Sequence, residues 1–190
     1  MGFIKTFKDW AGKNRSAIPV LMYHKIGNCP NRTNTSWSYV SPGNFHEVMG
    51  AVIRANFQTV SLEDVIRVER ASNPRFVITF DDGYESVLKH AAEFLRQHGF
   101  TAIQFLVADR IGCKNQWDLG LDPAMGRLMD LIQIREWLSL GHEIGAHTLT
   151  HPRLSQIPLG LARKEVHSSK KKLEDLFGVP IKHFAYPYGD

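Results

Sequence analysis

Short apolar runs rich in β-branched and aromatic residues alternate along this chain with longer stretches whose apolar positions recur at helical spacing. "IPVLMYH" (18–24), "FQTVS" (57–61), "RFVITF" (75–80), "TAIQFLVA" (101–108), "HEIGAHT" (142–148) and "KHFAYPYG" (182–189) predict strands. Helices are predicted between them. The stretch 41–56 opens with Ser41 and Pro42 as cap and first-turn residue, and 61–70 opens with Ser61 and an acid three residues on. Ser86 to His98 is closed by Gly99, a segment around Leu128 to Leu140 ends at Gly141, and Leu159 to Phe177 is closed by Gly178. Strands separated by helices of this length imply parallel pairing with the helices outside, an α/β layered or barrel arrangement.

In such an arrangement the carboxyl ends of the strands converge on one rim. Those ends collect His24, Asp81 with Asp82, His147 with His151, and Tyr188. The segment from Ile111 to Arg127, "IGCKNQWDLGLDPAMGR", is a long glycine-bearing loop on the same rim. No internal repeat or low-complexity tract interrupts the pattern, and 190 residues suit one domain, 18–190, behind a short leading segment, 1–17.

Composition alters this picture little, since 43% apolar and 22% charged residues are ordinary for a globular chain. The formal charge of +4 is spread out apart from Lys170, Lys171 and Lys172, which lie in a polar helical stretch and read as a solvated helix face, not a nucleic-acid patch. Cys29 and Cys113 lack CxxC spacing, so neither a disulfide framework nor a cysteine zinc site is indicated. No stretch approaches the ~20 apolar residues of a membrane span, and "MGFIKTFKDWAGK" lacks the apolar run of a secretory signal, so the expected location is the cytoplasm. In that segment Phe3, Ile4, Phe7 and Trp10 share one helical face flanked by Lys5, Lys8 and Lys13, which suits either packing on the domain or peripheral contact with a membrane. Gly2 and Thr6 also satisfy the loose myristoylation pattern.

The chemistry concentrates on the rim. His147 and His151, in "GAHTLTHP", stand four residues apart, so their imidazoles can meet on one side of a helical turn or tight loop. With one carboxylate they make the set favoured by a hydrolytic zinc that keeps an open coordination position. Alone, the pair also reads as two hydrogen-bonded surface histidines; its place after a predicted strand favours ligation. Asp81 and Asp82 in "TFDDG" offer the oxygen ligand, although the same stretch reads as a turn with Asx capping into the next helix. "FDDGY" is also superficially similar to the strand-ending DxDGT of haloacid-dehalogenase-type phosphatases. Here, however, the acids are adjacent, and neighbours on an extended chain point in opposite directions, which fits one base and one ligand at a strand-to-loop bend. On their own, His24 and "FAYPYGD" read equally as a structural histidine and a Pro-Tyr-Gly turn.

Together, "TFDDG", "HTLTHP" and "FAYPYG", in this order, resemble the first three motifs of the polysaccharide deacetylase family, also called the NodB-homology or carbohydrate esterase family 4 domain. The resemblance runs from about Pro19 to the last residue and implies a distorted (β/α) barrel. It implies that Asp81 is the general base, that Asp82, His147 and His151 bind a divalent metal, and that the N–H of Tyr188, beside Pro187, helps hold the oxyanion. The metal so implied is zinc first, with cobalt, nickel or manganese as alternatives. Ala185 stands where the family often has an arginine that pairs with the base. The chain ends at Asp190, where the family continues for one or two further βα units, so the expectation is a domain incomplete at its C-terminus. "PVLMYHKIG" resembles the opening strand of a circularly permuted subgroup that includes poly-N-acetylglucosamine deacetylases, which would make His24 the general acid.

The activity thus implied is hydrolytic removal of acetyl groups from N-acetylhexosamine units of a glycan. Trp117, Tyr84 and Tyr186 on the rim suit stacking against sugar faces, and "NQWD" (115–118) resembles a loop of deacetylases of bacterial surface-polysaccharide assembly. O-acetyl removal uses the same chemistry. The alternative is a catalytically weak or inactive domain that binds metal or carbohydrate without turnover, an expectation motivated by Ala185 and the early end.

Overall fold

Strand β5, Arg75–Phe80, lies at the centre of a parallel sheet. Its neighbours are β1, Val20–Tyr23, and β6, Ile103–Leu106, and β6 pairs in turn with β7, Glu143–Ala146, giving the order β1-β5-β6-β7. The two-residue β4, Gln58–Thr59, adds to the start of β5 in the register Gln58 to Arg75. A separate parallel pair joins β2, Lys25–Ile26, to β3, Tyr39–Val40. The structure is a computed structural model and describes residues 18–29, 36–66, 73–118 and 126–190. The leading segment 1–17, with its amphipathic face and Gly2, lies outside the described residues, as do positions 67–70 of the second predicted helix.

Helices fill the connections, as parallel strands require. Helix α1 is Pro42–Arg54, capped by the Ser41 hydroxyl, which accepts the Asn44 N–H at 3.2 Å; α2 is Leu62–Ile66. Helix α3 runs through Glu85–Val87, a π turn at Leu88–Ala92, and Glu93–Gln97. Helix α4, Leu131–Ser139, starts at a capping box that pairs Asp130 with Gln133, and α5, Leu159–Phe177, stops at Gly178 with φ 67°. None of the described helices is long and apolar enough to cross a membrane. The Lys170–Lys172 run is engaged within the chain, through the Ile181 carbonyl, Asp175 and Asp109 respectively.

β5 is buried from Phe76 onward because both of its faces are covered, which suits its largely apolar sequence. Phe76, Ile78 and Phe80 enter the core cluster with Phe45, Leu95 and Trp137 from the helices; the Phe80 and Trp137 rings meet edge-on at 6.0 Å. One predicted strand is corrected. In 182–189 only Phe184 bridges, to Ala146, and Pro187–Gly189 forms a tight turn with Tyr188 at φ 60°. Proline removes a ladder donor, and a left-handed residue turns the chain away, so pairing cannot propagate beyond the bridge.

Candidate functional site

At the end of β5 the main chain stays in register for one residue more, the Asp81 N–H donating to the Tyr23 carbonyl at 2.9 Å. The buried Gln104 side chain holds the same corner, its Nε2 donating to the Phe80 and Asp81 carbonyls at 3.1 and 3.3 Å. Asp82 then turns into the left-handed region, φ 74°, and Gly83 follows at φ 90°. That bend leaves both adjacent carboxylates lining one cleft. Glycine is required there twice over, for its φ and because a Cβ would stand 2.9 Å from Leu106 Cδ2.

The end of β7 supplies the imidazoles. The His147 N–H donates to the Leu106 carbonyl at 2.9 Å, and its ring Nδ1 lies 2.9 Å from the Ala185 carbonyl. A carbonyl only accepts, so Nδ1 carries the proton and Nε2 keeps its lone pair in the neutral ring. Thr148, at φ 67°, bonds through its hydroxyl to the His147 carbonyl and accepts the His151 N–H at 2.9 Å, closing a turn that brings His151, φ 69°, back beside His147. From α5 the Glu165 carboxylate accepts the N–H groups of Leu149 and Thr150 at 2.8 and 2.9 Å and the Thr150 hydroxyl at 2.8 Å. The left-handed backbone at Asp82, Thr148, His151 and Tyr188 is strain gathered at one place.

Asp82 Oδ1 stands 3.3 Å from His147 Nε2 and 3.1 Å from His151 Nε2. The three side chains are buried, and their ligating atoms lie within 4.8 Å of one another. Asp82 Oδ1 makes no aligned hydrogen bond despite this proximity. Two donors each about 2.1 Å from one tetrahedral ion stand about 3.4 Å apart, so the observed spacings match an ion-sized gap between the three donor atoms. The donor set therefore fits a divalent cation. Without one, burial works to raise the Asp82 acid, but the two imidazoles outweigh it and hold the carboxyl well below the usual carboxylate range. Burial likewise lowers the His147 imidazolium, but Asp82 and Asp81 overcome it and raise it. Asp81 goes the other way: burial pushes its carboxyl up, against the opposing charges of His147 and His24.

These groups line one cleft of about 470 Å³, which also takes in His24, Trp117, Tyr186 and Tyr188. The Trp117 ring stacks on His151 at 4.2 Å, and the Tyr188 ring stands 4.8 Å from it on edge. Pro187 is buried at the base of the turn, whose hydrogen bonds, Gly189 N–H to Tyr186 and Asp190 N–H to Pro187, leave the Tyr188 N–H out. Tyr84 borders the cleft, but its stacking role is corrected: it is 1% exposed, its OH accepts Asn115 Nδ2 at 2.6 Å and the Lys25 ammonium sits 4.7 Å above its ring, so no face remains for a sugar. Sequence reasoning also missed Glu165, and Trp37, whose exposed ring meets His24 edge-on at 5.1 Å. Neither carries a local signal: Glu165 is one acid on a polar helix, and Trp37 precedes a two-residue strand.

Comparison with known proteins agrees with this geometry. The profile of the polysaccharide deacetylase family matches residues 69–190. The Bacillus subtilis protein YxkH, provisionally named a polysaccharide deacetylase, is 24% identical over 176 residues, 90% of this chain and 57% of its own length. A chitooligosaccharide deacetylase from Azorhizobium caulinodans is 32% identical over 114 residues, covering 59% of this chain and 47% of that protein. Among solved structures, IcaB from Ammonifex degensii superposes with a TM-score of 0.74 at 21% identity, over 91% of this chain and 75% of that one. This chain thus spans little more than half the length of the YxkH relative. With the family profile matched over residues 69–190 and the buried Asp82, His147 and His151 cluster lying within that match, the chain belongs to the polysaccharide deacetylase family.

Proposed function

We propose that this chain is a metal-dependent deacetylase that hydrolyses the acetamido group of N-acetylhexosamine units in a glycan, built on a distorted (β/α) barrel of the permuted kind that begins with the acid histidine. The carrying observation is Asp82 Oδ1 facing His147 Nε2 and His151 Nε2 at 3.3 and 3.1 Å inside a buried pocket, with a second carboxylate, Asp81, next to it. Parallel strands with helices packed outside them support the barrel, and the opening strand with His24 directly after it supports the permuted order. The aromatic cleft supports a sugar substrate, as does the likeness to a protein named for chitooligosaccharides.

A divalent cation on Asp82, His147 and His151, zinc by the nature of the donors, would supply Lewis-acid polarisation of the acetyl carbonyl and a more acidic water. Asp81 accepts a proton from the water that attacks the carbonyl carbon, a task for which a carboxyl raised by burial is suited. The Tyr188 N–H, which the turn's own hydrogen bonds leave out, donates to the oxyanion. An amide nitrogen leaves poorly unless protonated, so His24 as imidazolium gives its proton to nitrogen as the carbon–nitrogen bond breaks, releasing acetate and the free amine. Trp117 over His151 and the exposed Tyr186 wall the sugar.

Metal analysis of the purified protein, paired with acetate release from chitin oligomers and with Asp81→Asn as control, tests this reading. It stands if bound metal accompanies acetate release that Asp81→Asn abolishes. Full activity in a metal-free preparation overturns it, and metal or oligomer binding without acetate points to a non-catalytic binding domain.

A further inference from the structure

Beside the reacting groups the cleft carries a carboxylate that the mechanism leaves unused. Asp118 follows Trp117, and both line the cleft with Tyr188. One of its oxygens, Oδ2, is clamped: Asn115 Nδ2 donates to it at 2.8 Å and the Lys25 ammonium lies 3.4 Å away. Both partners are anchored in turn. Asn115 is fully buried and its Nδ2 also donates to the Tyr84 hydroxyl, while Lys25, 2% exposed, sits over the rings of Tyr39 and Tyr84 at 4.6 and 4.7 Å. Among the described residues no hydrogen bond is made to the other oxygen, Oδ1, and the side chain, 18% exposed, lines the cleft.

A carboxylate held by one oxygen and presenting the other beside an aromatic wall is an orientation device for a polyhydroxylated ring. Its free oxygen can only accept, so it selects a donor, and the fixed clamp spares it the rotational freedom that weakens most surface carboxylates. Resting on the deacetylase reading, we propose that Asp118 Oδ1 accepts a hydrogen bond from a ring hydroxyl of the sugar that carries the acetamido group, making Asp118 a specificity determinant, with Lys25 and Asn115 its positioning residues. The same clamp ties the residue after His24, Lys25, to the residue after Trp117.

Binding, not turnover, is the decisive readout. In the Asp81→Asn background, where the ligand is not consumed, calorimetry compares triacetylchitotriose with its 3-deoxy and 6-deoxy forms, with and without Asp118→Asn. A charge-assisted hydrogen bond predicts that Asp118→Asn weakens the parent sugar about 10- to 100-fold, that one deoxy form weakens the Asp118 protein by a similar factor, and that the two losses do not add. Equal weakening of all three sugars by Asp118→Asn, or none, overturns the proposal. Lys25→Met, which leaves the acceptor in place but unclamped, is expected to cost less than Asp118→Asn; an equal or larger loss with an unchanged deoxy pattern removes the positioning role. Acetate release by the unmodified protein from the same trisaccharide tests the deacetylase reading separately, so a binding cycle without acetate sinks that reading alone.

Discussion

Glu165 holds Thr150 twice, accepting its main-chain N–H at 2.9 Å and its hydroxyl at 2.8 Å. Since it also takes the Leu149 N–H at 2.8 Å, one carboxylate on α5 fixes the loop between His147 and His151. The strained residues at Thr148 and His151 would relax without that grip. Glu165→Ala is therefore expected to weaken zinc affinity about 10- to 100-fold while the protein remains folded, as read by competition with a chromogenic chelator. Glu165→Gln, which keeps an acceptor oxygen, should fall between. Unchanged affinity in Glu165→Ala would mean that the loop holds its own shape.

The adjacent acids separate in a second experiment. Asp82 Oδ1 stands within 3.3 Å of both imidazoles, whereas no such contact ties Asp81 to either ring, although it lines the same cleft. Asp82→Ala and His147→Ala are expected to lose bound metal and turnover together. Asp81→Asn should keep the metal and lose turnover by about 10²- to 10⁴-fold, the usual span for a general base. Metal content by mass spectrometry with acetate release decides it. Metal loss in Asp81→Asn equal to that in Asp82→Ala would place both carboxylates on the ion.

Gly83 ties the site to the fold. Its φ of 90° and the 2.9 Å approach that a Cβ would make to Leu106 Cδ2 both oppose a side chain. Gly83→Ala should cost about 1–3 kcal/mol in urea unfolding and displace Asp82 with it. Gly27, where a Cβ would meet nothing within 4 Å, is the matched control and should tolerate alanine.

Much of this was legible because periodicity and strand ends are local signals. "RFVITF" coincides with β5, and Leu159 to Phe177 with α5, since an apolar run and a glycine stop are written in consecutive residues. His24, Asp81, Asp82, His147, His151 and Tyr188 could be collected for the same reason, as each ends or follows a run, and the structure puts all of them in one cleft. What failed was what depends on distant partners. Tyr84 does border the cleft, but Asn115 and Lys25, from other parts of the chain, cover the ring expected to stack on sugar. "KHFAYPYG" has strand-like composition, yet Pro187 and the left-handed Tyr188 allow a single bridge. Glu165 acts on residues 15 and 16 positions away, a relationship that neither helical nor strand spacing encodes.

The last expectation concerns pH in metal-free protein. Burial raises the Asp81 carboxyl above its unfolded value near 4, so the folded state favours the protonated form. The stabilisation from this group is complete below the unfolded pKa and is lost as pH rises through the raised folded one. Asp82, held down by its imidazoles, behaves oppositely and loses its contribution as pH falls. Asp81→Asn substitutes a permanently neutral isostere, so metal-free Asp81→Asn should match the unmodified protein in acid and exceed it in unfolding free energy at neutral pH. Zinc should narrow the gap, because a nearby cation favours the Asp81 carboxylate. Urea unfolding at several pH values, with chelator and then with zinc, measures both. A neutral-pH Asp81→Asn protein less stable than its parent in chelator would show that the charged form is favoured by the fold, and the assignment of Asp81 as a base poised by burial would fall.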